Sequence, residues 1–480
     1  MKHRFTFILN VSLGILALIL INSCTSKQNW PQFRGPDGNM LSSAKSLPEV
    51  WDTVKNVAWT YQLDGAGWSS PIVWGKKVFI TSCFPEKVAP VPERGPQQGP
   101  PPPSRPGVPQ PGQRPQGGQA PRPGQGQPGA PPQEDNDTTF RQDVYRWEVT
   151  CIDLDSGKEL WKQVAFQGNP KVKKHPMNNY ATETPATDGE RVYAYFGNIG
   201  LFCYDFSGNL LWKKDFGAYK VLNGWGTGSS PIIYNGMVYI QDDNEENSFI
   251  AGLDAITGEE KWRALREEKT NYSTPFIWKN KVRTELVAGG KAVTSYDPET
   301  GKPLWTMKAG GEMVIPSPAG DENMLYIGNA GGQNAKSNLF AVLAGAEGDI
   351  TPPDSIKTGD GVAWVFRDAG LGNSSPLLFN GLIYIIASRG GEIKCIKASD
   401  GSLVYKDRVS GLGAVWASPW VYNGKVWFFD EKGITRSFTA GDKFELINDN
   451  RLNDKTWASV AITGDSYIFK GVETLYHVKN

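Results

Sequence analysis

Short apolar runs, each bounded by polar turn residues, recur from one end of this chain to the other. Examples are Val78-Phe-Ile80, Val192-Tyr-Ala-Tyr195, Val238-Tyr-Ile240, Leu382-Ile-Tyr-Ile385 and Val426-Trp-Phe428. They are rich in β-branched and aromatic side chains, which predicts strands rather than helices. Turn pairs separate them, as at Asp188-Gly189, Asn235-Gly236, Asn380-Gly381 and Asn423-Gly424. Such pairs tolerate the positive φ that tight hairpins need.

The runs belong to a larger repeat. Clear copies of its opening motif read Trp68-Ser-Ser-Pro71, Gly228-Ser-Ser-Pro231, Tyr272-Ser-Thr-Pro275, Asn373-Ser-Ser-Pro376 and Trp416-Ala-Ser-Pro419. Weaker copies are Thr182-Glu-Thr-Pro185, Ile315-Pro-Ser-Pro318 and Trp457-Ala-Ser-Val460. Their spacing is in the low forties, except for long steps from Pro71 to Pro185 and from Pro318 to Pro376. Strand content at that period means propeller blades, with the long steps as insertions. Further on in the repeat, a turn leads to an aromatic: Asp153 to Trp161, Asp205 to Trp212, Asp254 to Trp262, Asp297 to Trp305 and Ala398 to Tyr405. Each blade is therefore predicted to have four strands, with a large ring near its outer edge packed on the next blade. The eighth copy offers only three, at 458–463, 466–470 and 473–478, and an orphan strand at Asn56–Gln62 lacks a motif before it. The expected fold is all-β: an eight-bladed propeller closed by the N-terminal strand completing the C-terminal blade, which removes exposed sheet edges.

Repeats of Ser-Ser-Pro followed by Asp-x-x-Thr-Gly-x-x-x-Trp resemble the pyrroloquinoline-quinone-type (PQQ-like) propeller repeat over roughly residues 56–480. The segment Trp30-Pro-Gln-Phe-Arg-Gly-Pro-Asp-Gly38 also resembles the opening of secreted PQQ-like propeller proteins. Two branches carry the repeat: quinoprotein dehydrogenases and BamB-type envelope lipoproteins. The first implies a quinone stacked between a Trp and a disulfide of adjacent cysteines, beside calcium held by acidic and amide side chains. The second implies a binding scaffold in outer-membrane protein assembly. Fold alone does not choose between them.

Lys2-His-Arg4 precedes an apolar run from Phe5 to Ile21 that ends Ile21-Asn-Ser-Cys24. This reads as a secretory signal over 1–23, and the segment before the cysteine resembles a bacterial lipobox. Cys24 is then the lipidated first residue of the mature chain, and residues 24–55 form a tether and an N-terminal strap. A transmembrane anchor is the alternative, but the run is short and is interrupted by Asn10 and Ser12. Thr25, in place of Asp, resembles outer-membrane sorting, so the expected address is the bacterial envelope, anchored by lipid and facing the periplasm. A monomer is expected.

Basic and acidic residues balance at 50 each, which implies no nucleic-acid partner. Cys151, Gly252, Ser295, Cys395 and Cys203 occupy one small-residue slot relative to the edge aromatic, where Cys acts as a small hydrophobe. Cys83 and Cys151 fall at different depths of the first blade, so no disulfide is expected. Seventeen of the chain's 34 prolines lie between Pro85 and Pro132. Residues 85–139 thus form a Pro/Gln/Gly insertion with almost nothing apolar to bury, expected to be disordered or polyproline-like. It is either a partner-binding arm or a tolerated loop expansion.

Catalytic chemistry is sparse. No two cysteines are adjacent and no Cys or His metal spacing appears. No cofactor is therefore expected, PQQ with calcium being the alternative. The acidic run Asp242-Asp-Asn-Glu-Glu246 lacks the spacing of a calcium loop and reads as a solvated turn. Aromatics supply the candidate site. Trp68, Tyr272, Trp416 and Trp457 each stand at the start of an innermost strand, at the expected channel mouth. Trp416, Trp457 and Trp68 fall in neighbouring blades seven, eight and one. Trp225 and Tyr180 lie in loops entering blades three and two, and His175 lies in the loop before Tyr180. Glu183 replaces a residue that is usually Ser or Ala and is expected to bring charge to the mouth. The crescent suits stacking on a sugar, a peptide or a quinone; packing between blades is the plainer alternative.

Overall fold

The structure is a computed structural model that describes residues 29–86, 143–311, 313–329, 337–353 and 358–480. Cys24 and nearly all of the proline-rich insertion lie outside the described residues. Pro85 itself ends the strand Lys77–Pro85, opposite Tyr145.

Among the described residues the strands form eight sheets, seven of them four-stranded and antiparallel. The second blade shows the order: Ala186–Thr187 innermost, then Arg191–Tyr195, Leu201–Asp205 and Leu210–Lys214 outermost. Asn235-Gly236, Asn380-Gly381 and Asn423-Gly424 all take positive φ at both positions, as the turn pairs require. The eighth blade comprises Ala461–Ile462, Ser466–Lys470 and Thr474–Lys479, and Val57–Gln62 pairs antiparallel with the last of these. The first and last strands of the propeller thus lie in one sheet.

The fourth blade is the exception to the four-strand rule. Gly348–Asp349, from the excursion inside blade five, adds a fifth strand parallel to Pro303–Lys308. This covers Trp305, whose Nε1 donates to Glu285 Oε2 at 2.7 Å instead of reaching the next blade.

Elsewhere the repeat motif has a direct structural meaning. Asp254 Oδ1 accepts from the backbone and hydroxyl of Thr257, and Asp297 does the same with Thr300. The glycine that follows takes positive φ, at Gly258 and Gly301. The indole of the preceding blade lies on it: a Cβ on Gly301 would approach Trp262 to 2.3 Å. That indole then donates to a carbonyl in the same turn, Trp262 to Pro298 at 3.0 Å. Trp161 reaches Phe206 at 3.0 Å, Trp212 reaches Ala255 at 3.3 Å and Trp364 reaches Ala398 at 2.9 Å. Trp59 on the N-terminal strand does this to Leu154 at 2.8 Å, so the closing strand also grips blade one. The small-residue slot lies under these rings: Cys151, Cys203, Gly252 and Cys395 stand opposite Trp161, Trp212, Trp262 and Tyr405. Cys83 faces Trp147, whereas Cys151 faces Phe79.

Residues 29–55 cross the ring before that strand begins. Trp30 bridges to Val73, the Thr187 amide donates to the Pro31 carbonyl and the Ile233 amide to Gln32 Oε1, on blades one to three. Asn39 exchanges hydrogen bonds with Gly320 on blade five, and the Val421 amide donates to the Met40 carbonyl on blade seven. Arg34 is buried; its guanidinium donates to the carbonyls of Ser317, Pro318 and Pro376. Gly35 takes a positive φ, and a Cβ there would meet the Trp30 ring at 2.8 Å. The Trp-Pro-Gln-Phe-Arg-Gly segment is thus a strap that ties together most of the ring.

Candidate functional site

The third residue of every opening motif carries a hydroxyl, from Ser70 in blade one to Ser459 in blade eight. These side chains form a belt around the axis. The Ser70 amide donates to Thr184 Oγ1 at 2.9 Å, Thr184 to Ser230 at 3.0 Å and Ser230 to Thr274 at 3.0 Å. The Thr274 amide donates to Ser317, Ser317 to Ser375 and Ser418 to Ser459, each at 3.0 Å. Each such bond satisfies a buried N–H and joins two blades.

The belt surrounds an axial cavity of about 530 Å³ with Phe33 of the strap in its lining. The aromatic crescent is assembled there. Trp68 and Trp457 lie 4.0 Å apart by ring centroid, and Trp457 and Trp416 are stacked at 5.2 Å. All three line the cavity and stay partly exposed, as do Tyr272 and Trp225. Trp416 Nε1 donates to Glu431 Oε2 at 3.3 Å. Nε1 of Trp68, Nε1 of Trp457 and the Tyr272 hydroxyl are enclosed and have no protein partner. Burial raises the Tyr272 phenol well above its ordinary pKa, so it stays a neutral donor.

Three expected members sit elsewhere or serve differently. Tyr180 does not line the cavity: its ring meets Tyr145 edge-on at 5.2 Å and its hydroxyl donates to the Val172 carbonyl at 3.0 Å. Packing against the third strand of blade one takes it away from the axis. Glu183 is not a mouth charge either. It is buried, accepts from the Thr227 hydroxyl, and burial lifts its carboxyl to about 7. His175 touches the lining only indirectly, stacked on Trp225 at 3.8 Å.

The acidic run is also spoken for. Asp242 accepts from Tyr195 and Asn244, Asp243 pairs with buried Arg266 at 2.8 Å, and Glu245 accepts from Thr270. Asp242, Asp243 and Asn244 are buried in this network and Glu246 is exposed, so only the end of the run is the solvated turn that its charge suggested.

Sequence reading missed the belt, the Phe33 floor, Asn178, Arg389 and Lys470. The belt was findable, since its slot is a hydroxyl in all eight copies. Lys470 is buried in blade eight, and its ammonium donates to Gly67, Ser69 and Thr81 of blade one at 2.8–3.2 Å. Burial without a carboxylate lowers its pKa to about 7. No sequence signal marks that partner set, because it is made of backbone carbonyls and one hydroxyl.

The donor set also tests the quinone. The lining offers the amides of Asn178 and Asn373 but no carboxylate and no cysteine among the described residues. Nor is there a cluster of three metal-ligating side chains among those residues. A calcium ion prefers several oxygen ligands, usually with carboxylates. These residues do not fit a calcium–quinone pair held in this cavity.

This is a propeller of PQQ-like repeats. The family model described as outer membrane protein assembly factor BamB matches residues 146–277. Solved structures similar to the chain include BamB from Moraxella catarrhalis, at 14% identity over 69% of this chain and 91% of that one, TM-score 0.45. A europium-containing methanol dehydrogenase gives 10% identity over 93% and 90%, TM-score 0.54. A quinohemoprotein alcohol dehydrogenase from Comamonas testosteroni gives 12% over 94% and 80%, TM-score 0.51. At these identities the likeness shows the fold alone. No curated protein matches the sequence.

Proposed function

We propose that the chain is a non-catalytic binding propeller of the bacterial envelope, held at the outer membrane through lipid on Cys24. It serves as a scaffold in the manner of BamB and captures a ligand in its axial cavity. The observation that carries this reading is the crescent of Trp68, Trp457 and Trp416, partly exposed in an axial cavity that the Ser/Thr belt also lines. The family match supports a scaffold role with envelope protein partners. Titrating the full chain in detergent while following tryptophan emission, then identifying proteins that co-purify from membranes, tests both halves. Tight binding of PQQ with calcium, together with dye reduction, would replace this reading by quinone-dependent oxidation.

A further inference from the structure

We infer that the axial cavity takes an acidic sugar: a pyranose ring bearing one carboxylate. The inference rests on the reading of the cavity as a binding site and specifies its occupant.

The wall comes first. Trp68, Trp457 and Trp416 pack ring on ring across three blades, with Trp457 in contact with both others, and each keeps part of its ring exposed at the lining. Such faces accept the C–H face of a sugar or a flat aromatic ring equally well.

Hydrogen bonding separates those two. Nε1 of Trp68, Nε1 of Trp457 and the Tyr272 hydroxyl are donors without partners. The belt hydroxyls of Thr184, Ser230 and Thr274 already accept an amide each, which leaves their O–H as donors at the lining. The three enclosed donors are out of reach of a ligand oxygen, so the belt hydroxyls and the Asn373 amide are the groups a ligand meets. A polyhydroxylated ring carries an acceptor on nearly every carbon and can answer several of them together. A plain aromatic ring would cover the belt hydroxyls without accepting from them.

Charge supplies the last element. Arg389 is the one charged side chain lining the cavity among the described residues, and it has no ion pair there. It stands on blade six, next to the blade that carries Trp416. A guanidinium free of carboxylate partners is suited to a bidentate carboxylate from a ligand. One cation among neutral donors matches one negative charge on the ring.

The test uses the full chain in detergent, with tryptophan emission and calorimetry as readouts. The probes are a glucuronate-terminated disaccharide, its carboxyl-reduced neutral counterpart, and benzoate. Arg389 is exposed at the rim, so the acidic disaccharide should bind about two- to fivefold tighter than the neutral one, the worth of a solvent-screened pair. Arg389→Ala should erase that preference, Arg389→Lys should keep part of it, and both should melt like wild type. Equal binding of the two disaccharides, or a preference that survives Arg389→Ala, overturns the acidic-sugar assignment and leaves the cavity a binding site. Benzoate binding more tightly than either disaccharide overturns the sugar class. If no probe binds and tryptophan emission stays fixed, the acidic-sugar assignment is overturned, and co-purification then decides the scaffold reading separately.

Discussion

Trp68 and Trp457 meet at 4.0 Å across the seam where the first blade joins the eighth. They come from opposite ends of the propeller sequence, so their contact exists only in the closed ring. The same seam is held by Lys470, whose ammonium reaches three residues of blade one, and by Trp59, which caps the turn at Gly157. Closure and the candidate site are therefore one structural event.

That relationship sets the first expectation. Trp68→Ala, Trp416→Ala or Trp457→Ala should weaken ligand binding by about 1–3 kcal/mol, the range for aromatic anchors. Stability should fall far less than for Trp420→Ala, since Trp420 is fully buried and such truncation costs about 3–5 kcal/mol. Denaturant melts beside a titration separate the two. Large melting losses with unchanged binding would make the crescent inter-blade packing.

Deleting residues 52–62 should destabilise the whole ring, because Val57–Gln62 is the fourth strand of blade eight. Trp59→Ala is the gentler version: it removes the Leu154 hydrogen bond and uncovers Gly157. One cooperative transition shifted downward is expected in calorimetry. A melt identical to wild type for the deletion would show that closure does not depend on this strand.

The repeat made the ring legible in the sequence, down to the missing strand of blade eight and the adjacency of Trp416, Trp457 and Trp68. Periodicity records backbone pairing, which every blade must repeat. What it could not convey is where an individual side chain turns. Tyr180 looked like a mouth residue because its loop enters blade two, yet packing on Tyr145 and Trp147 draws it aside. Glu183 stood out as a charge, but burial beside Thr227 makes it part of an inter-blade network. Strap contacts such as Arg34 to Pro376 join distant positions through backbone carbonyls, which leave no trace in residue type.

Cys24→Ala should release the protein from membranes, since an unacylated tether has no hydrophobic anchor. Detergent phase partitioning of both forms measures this. A variant that stays in the membrane fraction would overturn the lipid anchor.

Glu183 predicts a pH dependence. Its carboxyl titrates near 7 when folded, against an ordinary 4.5, because burial disfavours the charge. Between those values the folded chain keeps a proton that the unfolded chain has lost. The stability due to this group is therefore greatest below 4.5, falls as pH rises to about 7, and is level above. The whole step is about 3 kcal/mol. Glu183→Gln mimics the protonated form and should melt higher than wild type at pH 8, with the difference vanishing near pH 4.5. Asp242 lies in the same network with its own raised pKa, so the comparison must be wild type against variant at each pH. Parallel curves would mean that Glu183 is ionised or solvated throughout.

Arg34 tests whether the strap belongs to the fold or merely lies on it. Its guanidinium donates to three carbonyls on blades five and six, and Phe33 beside it lines the cavity. Burial lowers its pKa to about 10, still far above neutral, so it is charged in the folded protein. Arg34→Met keeps much of the volume but leaves those carbonyls without donors, at a cost of about 1–3 kcal/mol. The freed strap should also let Phe33 move, so ligand affinity should fall together with stability. Arg34→Lys should recover part of the stability, because an ammonium restores a donor but cannot span two blades as the planar fork does. Chemical denaturation and a ligand titration on the same samples measure both effects. Wild-type stability in Arg34→Met would show that the strap is held by its other contacts, at Trp30, Pro31, Gln32, Asn39 and Met40; lost stability with unchanged affinity would show that Phe33 plays no part in the site.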